Sequence, residues 1–192
     1  MYNTRLRQPA EFQSSNLSEG VKDMASASSV RAPEQPTVDK VTGPYQVAST
    51  LVKVQTEQRE ELHNLTNLVR DFVKSSGIRF GLVNVASLHT TSAIFINEWQ
   101  DALIHDFKSY LSTAISRDLY YRHNDPVWSD CDRRNADSHL RSLMLGISLT
   151  LQISDGDLVL GEWQSIIMAE LDGPRERSVR LQAMGVAGEG AL

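Results

Sequence analysis

The sequence lacks the long apolar runs of a membrane-spanning protein. Hydrophobic residues make up 41% of the 192 positions. Charged residues or histidine interrupt every apolar stretch well before the length of about 18 residues that a membrane span needs. The N-terminal segment also lacks the continuous apolar region of a secretory signal. We therefore expect a chain with no membrane partner.

Cysteine is almost absent. The single cysteine, Cys131, has no second cysteine in the chain with which to form a disulfide bond. This is typical of proteins from a reducing compartment, so we expect a cytoplasmic protein. An organelle-targeting peptide is disfavoured because Glu11, Glu19 and Asp23 place acidic groups early in the chain.

An excess of positive charge is missing too. The formal net charge is -5 at pH 7. Residues 1–42 carry five basic and five acidic side chains, so the acidic excess lies in the rest of the chain. Because a phosphate backbone attracts clustered lysine and arginine, we expect no nucleic-acid partner.

The composition divides the chain into an arm, a domain and a tail. Residues 1–43 are rich in serine and proline and show no hydrophobic period, which predicts a disordered N-terminal arm. Residues 44–187 alternate between strand-like and helix-like segments and have the size of one domain. Residues 188–192 form a short tail.

The apolar spacing within the domain predicts both helices and strands, with a largely antiparallel C-terminal third. This pattern indicates a fold of the α+β or α/β class. The predicted elements are a strand at 47–55, a helix capped by Thr56 and ended by Gly77, strands at 80–86 and 93–96, a helix at 101–115, a loop at 116–134, a helix at 136–145, and strands at 148–153, 158–160, 163–171 and 178–184.

Three histidines lie at polar junctions between the predicted elements. His89 falls in a turn between strands, His123 in the long loop, and His139 near a helix start. Together they would bind a divalent metal ion, or one of them would act as a general base near neutral pH. Their spacing matches no local zinc motif, so ordinary surface or capping histidines remain the alternative.

Other polar groups are candidates for binding phosphate or for acid–base work. Hydroxyls and backbone N–H groups beside His89 would hold phosphate oxygens, with a polar β-turn as the alternative. Two arginines near the C-terminal turn would grip a phosphate, with surface ion pairing as the alternative. Carboxylates after the fourth predicted element would ligate a metal or cap the next helix. The residues concerned are Thr90, Thr91 and Ser92; Arg175 and Arg177; and Asn97, Glu98 and Asp101.

Several short motifs, in one order along the chain, together resemble the YjbQ family, which is also described as secondary thiamine-phosphate synthases. The resemblance runs from about residue 47 to residue 185 and leaves the N-terminal arm outside. This chain differs at Ala102, where proline commonly follows the aspartate, and at Trp99-Gln100. The motifs are Leu88–Ala93, Ile96–Glu98 with Asp101, His105-Asp106, Tyr121 with His123, Asn135–Leu140, Leu145–Ser148, Gly161–Gln164 and Glu170–Arg175.

The resemblance implies an α+β fold with a mixed, largely antiparallel sheet, two to three helices and a compact homotrimer. It implies a histidine-rich pocket able to hold a metal or an anion, with His89, His123 and His139 as the candidate metal ligands. The carboxylates and amide expected to act in the same pocket are Glu98, Asp101, Asp106, Gln164 and Glu170. The residues expected to bind a small phosphorylated substrate are Thr90, Thr91, Ser92, Asn97, Asn135, Arg175 and Arg177.

The activity that the resemblance implies is that of a transferase. It would join a pyrimidine methyl diphosphate to a thiazole phosphate, giving thiamine phosphate and pyrophosphate, with a divalent Zn, Mg or Mn ion as cofactor. Three imidazoles suit zinc or another transition metal better than magnesium. For this reason a metal-dependent hydrolase or phosphatase, or a non-catalytic metal- or metabolite-binding trimer, stands as the alternative.

Overall fold

The computed structural model describes residues 40–188. The predicted arm at 1–43 lies outside these residues as far as residue 39, and the predicted tail lies outside them from residue 189 onward. Among the helices described, none has both the length and the apolar character needed to cross a membrane.

Three α-helices and eight strands make up the described part of the chain. The strands are antiparallel at every described pairing and form two sheets, of five strands in the order β1-β8-β3-β5-β6 and of three in the order β2-β7-β4. The elements are β1 (Tyr45–Gln55), β2 (Glu61–Asn64), α1 (Thr66–Ser76), β3 (Ile78–Ser87), β4 (Ser92–Asn97), α2 (Asp101–Ala114), a 3₁₀ turn (Arg122–Asn124), α3 (Ala136–Leu145), β5 (Ser148–Ser154), β6 (Asp157–Leu158), β7 (Ser165–Glu170) and β8 (Glu176–Ala187).

The main core contains buried side chains from both sheets and from α1. Val69 and Val73 of α1 are fully buried, as the three- and four-residue spacing of apolar positions requires. Alternate residues of β8 and β3 are buried because side chains on a strand point to opposite faces in turn. The expectation of an α+β fold is confirmed, with antiparallel sheets and three helices.

The predicted first helix is wrong at its start. α1 begins at Thr66 rather than after Thr56, and residues 61–64 form the edge strand β2, in which Leu62 pairs with Ala169 of β7. Thr56 is buried, and its hydroxyl lies within hydrogen-bonding distance of the Glu170 carboxylate. Tertiary partners therefore override the local helical spacing in this segment.

The predicted strand at 163–171 also begins too early. β7 starts at Ser165, and the preceding residues form a turn in which the Gln164 side chain accepts a hydrogen bond from the Gly161 N–H at 2.8 Å. Trp163 is 68% exposed, so its side chain does not pack into the core formed by residues 40–188.

Helix α3 is fixed to the three-stranded sheet by two buried serines. The Ser142 hydroxyl donates to the Ser92 carbonyl at 2.9 Å, and the Ser138 hydroxyl donates to the Leu171 carbonyl. Because Leu171 directly follows β7, these bonds hold the start of α3 beside the end of that strand. Two candidate site residues, Asn135 and His139, lie at this start of α3.

Candidate functional site

His123 and His139 lie next to each other. Their ring centroids are 5.0 Å apart and their planes are perpendicular. The two side chains line a pocket of about 380 Å³ together with Tyr121, Ala136 and Leu140. Two of the three predicted metal ligands are thus brought together although 16 positions separate them in the sequence.

A capping interaction explains why these two histidines meet. The Asn124 side chain accepts a hydrogen bond at 3.0 Å from the N–H of Ala136, the first residue of α3. This bond holds the 3₁₀ turn that carries His123 against the start of the helix that carries His139. The Tyr121 hydroxyl donates to the Ser116 carbonyl at 2.7 Å and fixes the other end of the turn.

The electrostatic surroundings favour neutral imidazole at His139. Burial lowers the pKa of His139, and the neighbouring His123 lowers it further, while Asp172 and Asp137 act in the opposite direction. The Nε2 atom of His123 is buried and has no hydrogen-bond partner among the described residues. A buried ring nitrogen without a hydrogen-bond partner is uncommon in a folded protein.

His89 lies elsewhere and has a different contact. Its Nε2 accepts a hydrogen bond at 2.9 Å from the Ser178 N–H, which ties the turn after β3 to the start of β8. Burial lowers the pKa of His89, and the Arg177 guanidinium lowers it further. Among residues 40–188, no group of three or more His, Cys, Asp or Glu side chains is arranged to hold a metal ion. The metal site of three histidines remains a prediction. Of the three, His123 and His139 lie next to each other within one chain.

Four of the five predicted acid–base residues lie at the surface, away from the lining of the histidine pocket. Gln164 closes the turn before β7, and Glu98 follows β4. Glu170 is the exception, because it is fully buried and forms an ion pair with Arg177. The exposed residues are Glu98, Asp101, Asp106 and Gln164.

The predicted phosphate-binding residues do not lie in one place. Some are exposed, and others are buried in hydrogen bonds with the rest of the protein. Thr90 and Asn97 are exposed. Ser92 is buried and hydrogen-bonded to the Ser87 hydroxyl. Thr91 is buried and accepts a hydrogen bond at 3.0 Å from Arg177 Nη2. Arg177 is thus engaged by Glu170 and Thr91 and is 1% exposed.

Asn135 and Arg175 belong to a network around Asp172, which no single motif in the sequence revealed. The carboxylate of Asp172 is fully buried. Its Oδ2 accepts hydrogen bonds from Asn135 Nδ2 at 2.8 Å, Arg133 Nε at 2.8 Å and Arg175 Nη2 at 3.0 Å, and its Oδ1 accepts one from Arg59 Nη1 at 3.1 Å. Sequence spacing gave no signal for Arg59 because it lies 113 positions from Asp172.

Comparison with known proteins identifies the family. The sequence profile of the family described as "UPF0047 protein YjbQ-like" matches residues 50–186. This chain belongs to the YjbQ-like UPF0047 family. The predicted family resemblance is therefore confirmed.

The YjbQ-like relatives match over most of their own length. A UPF0047 protein of Methanothermobacter thermautotrophicus is 46% identical over 132 residues, which is 69% of this chain and 88% of the relative. The UPF0047 protein YugU of Bacillus subtilis is 30% identical over 139 residues, covering 70% of this chain and 97% of the relative.

Solved structures share the YjbQ-like fold. A YbjQ-like protein of unknown function from Sulfolobus solfataricus P2 matches with a TM-score of 0.69 and 31% identity, over 74% of this chain and 99% of that one. An uncharacterised YjbQ/UPF0047 protein from Clostridium acetobutylicum matches with a TM-score of 0.63 and 29% identity, over 70% of this chain and 98% of that one.

These matches correct the predicted activity. The expectation of thiamine-phosphate synthesis came with the family resemblance, but the family profile and the relatives' descriptions assign no reaction, and the solved neighbours are described as uncharacterised or of unknown function. The assignment of a thiamine-phosphate synthase to this YjbQ-like chain is therefore wrong. What remains is the site itself and its chemistry.

Proposed function

We propose that this chain binds a divalent transition-metal ion through His123 and His139. The observation that carries the proposal is the buried Nε2 of His123, which has no hydrogen-bond partner among the described residues, on a side chain that lies next to His139. Both histidines line the same open pocket. An unpartnered buried nitrogen costs free energy unless a ligand satisfies it.

The chemistry of the pair favours zinc or a similar ion over magnesium. Imidazole nitrogen is a good ligand for zinc, copper, iron and nickel, whereas magnesium and manganese prefer oxygen. The lowered pKa of His139 supports coordination at neutral pH, because only the neutral imidazole has a free lone pair. With two ligands from residues 40–188, the remaining coordination positions are open to groups beyond these residues.

Two further partners would occupy these coordination positions. A small phosphorylated molecule would bind the ion through its anionic oxygens, and a neighbouring copy in a homotrimer would supply further ligands. A single cysteine without a disulfide partner in the chain supports a cytoplasmic location for this metal-dependent binding protein.

The test is metal retention by the full chain and its histidine variants. The wild type, His123→Ala and His139→Ala are loaded with Zn²⁺, dialysed, and analysed for metal per chain by mass spectrometry. We expect the wild type to retain zinc and each variant to lose it, because one remaining imidazole cannot hold the ion. Circular dichroism establishes that the variants remain folded.

His105→Ala is the matched control, since the His105 side chain is 83% exposed and lies on α2, outside the pocket lining. It should retain as much zinc as the wild type. Equal zinc in all four proteins, or none in the wild type, would refute the proposal.

A further inference from the structure

Three arginines converge on the buried carboxylate of Asp172. Arg59 comes from the segment between β1 and β2, Arg133 from the segment before α3, and Arg175 from the turn between β7 and β8. Each donates a side-chain hydrogen bond to Asp172 at 2.8 to 3.1 Å. Asp172 therefore fixes the positions of three guanidinium groups from distant parts of the sequence.

The charges of this network do not cancel. Asp137 is fully buried and lies 3.6 Å from Arg59 Nη2 and 4.0 Å from Arg141 Nη2. Arg141 also pairs with Glu60 at 2.6 Å. Four guanidinium groups thus face three carboxylates, which leaves one positive charge in a chain whose net charge is -5. The excess favours an anion at this place.

The uncompensated charge lies where solvent can reach it. The side chain of Arg133 is 51% exposed, and those of Arg175 and Arg59 are about a quarter exposed at 28% and 26%. Arg133 Nε and Arg175 Nη2 both lie within 3.0 Å of the same Asp172 oxygen, so the two guanidinium groups are close to each other.

The arginines retain donors for such an anion. Among residues 40–188, Arg133 uses Nε and Nη2, and Arg175 uses Nη2, so that Nη1 of both side chains and Nε of Arg175 have no side-chain hydrogen bond. A guanidinium group carries five N–H donors in a planar fork, which suits the oxygens of phosphate.

The network borders the histidine pair. Arg133 and Asn135 both donate hydrogen bonds to Asp172 at 2.8 Å, and both lie just before α3, which carries His139. A ligand that reaches from the histidine pocket to the arginines would therefore place its anionic group beside the start of α3.

We propose that Arg59, Arg133 and Arg175, held by Asp172, form a phosphate-binding site. The site takes the phosphate group of a small molecule, and Arg133, as the most exposed of the three, is its principal contact. It replaces the predicted pair of Arg175 and Arg177, because Arg177 is engaged by Glu170 and Thr91. The inference rests on the proposed function only in taking the ligand to be a small phosphorylated molecule, since phosphate binding here requires no metal.

The experiment is an isothermal calorimetric titration of the metal-free full chain with inorganic phosphate at low ionic strength. We expect saturable binding to the wild type and at least tenfold weaker binding to Arg133→Gln, because a charge-assisted contact is lost. Arg133→Lys keeps the charge but lacks the fork, so its affinity should lie between the two.

The matched control is Arg79→Gln, which removes the same charge from a residue that contacts Asp155 and Phe80 instead of the network. It should bind phosphate as the wild type does. Equal affinity of Arg133→Gln and the wild type, no binding by the wild type, or tighter binding of acetate than of phosphate would overturn the inference.

Zinc retention, measured on the same proteins, separates this inference from the metal site. Arg133→Gln should retain zinc like the wild type while losing phosphate, and His139→Ala should bind phosphate while losing zinc. A wild type that binds phosphate but no zinc would refute the metal site and leave the arginine site standing. A wild type that binds zinc but no phosphate would refute the arginine site and leave the metal site standing.

Discussion

At the scale of single residues, five charged side chains are buried among the described residues: Asp137, Arg141, Glu170, Asp172 and Arg177. Arg177 and Glu170 are both almost completely buried and pair with each other. Glu170 also accepts a hydrogen bond from the Asp172 N–H at 2.7 Å, and Arg177 Nη2 donates to the Thr91 carbonyl at 3.2 Å. The attraction within such a pair offsets the cost of desolvation only while both partners are present and their other hydrogen bonds are made.

Arg177→Met should therefore destabilise the protein strongly. It leaves the Glu170 carboxylate buried without its counter-charge, which costs about 3–5 kcal/mol in the free energy of unfolding. Chemical denaturation of the wild type and the variant, followed by circular dichroism, measures this difference.

The double variant with Glu170→Gln serves as the control. Because it removes both charges, it should be more stable than Arg177→Met alone although it carries one more substitution. Destabilisations that simply add would show that the two side chains do not act as a pair.

At the scale of elements, the central strands approach each other closely at two glycines. Gly81 of β3 lies opposite Gly185 of β8. A Cβ atom at Gly81 would lie only 2.1 Å from the Met184 carbonyl oxygen and 2.8 Å from the Gly185 Cα. Both neighbours are backbone atoms, so the strands themselves would have to move apart.

Gly81→Ala should destabilise the protein by about 1–3 kcal/mol, because overpacking forces shifts in the backbone. Thermal unfolding measures the change. Gly161→Ala is the matched control, since the nearest atom to its added Cβ is a flexible side-chain oxygen of Gln164 at 3.4 Å. Equal melting temperatures for the wild type and Gly81→Ala would contradict the close approach.

At the scale of the whole molecule, exposed apolar side chains cluster on and just after α3. Leu143 is 79% exposed, Ile147 49%, Met144 47% and Leu140 41%. Exposed apolar groups of this kind, next to a pocket, are typical of an interaction surface. They support the proposed homotrimer, which the family resemblance implied and which remains a prediction.

Sedimentation of the full chain tests the homotrimer. We expect the wild type to have the mass of three copies and Leu143→Glu to have a lower mass, because a charge would be placed in an apolar contact. Leu68→Glu, on the exposed side of α1, should leave the mass unchanged. A wild type that sediments as a single copy would refute the homotrimer.

The sequence by itself determined the features that depend on local pattern. Periodic apolar positions located α2 and α3, the Asp155-Gly156 dipeptide located the hairpin between β5 and β6, and ordered motifs identified the family. Local rules failed in the segment after Thr56, because its partners in β7 and the turn after it lie more than 100 positions away.

Only the tertiary structure decided which polar side chains share a site. It brought His123 beside His139 through the Asn124 cap, left His89 bound to Ser178, and gathered Arg59, Arg133 and Arg175 around Asp172. It also removed Arg177 from the candidate ligands by burying it with Glu170. The physical reason is that burial, charge compensation and hydrogen bonding depend on neighbours in space, which the spacing along a chain does not specify.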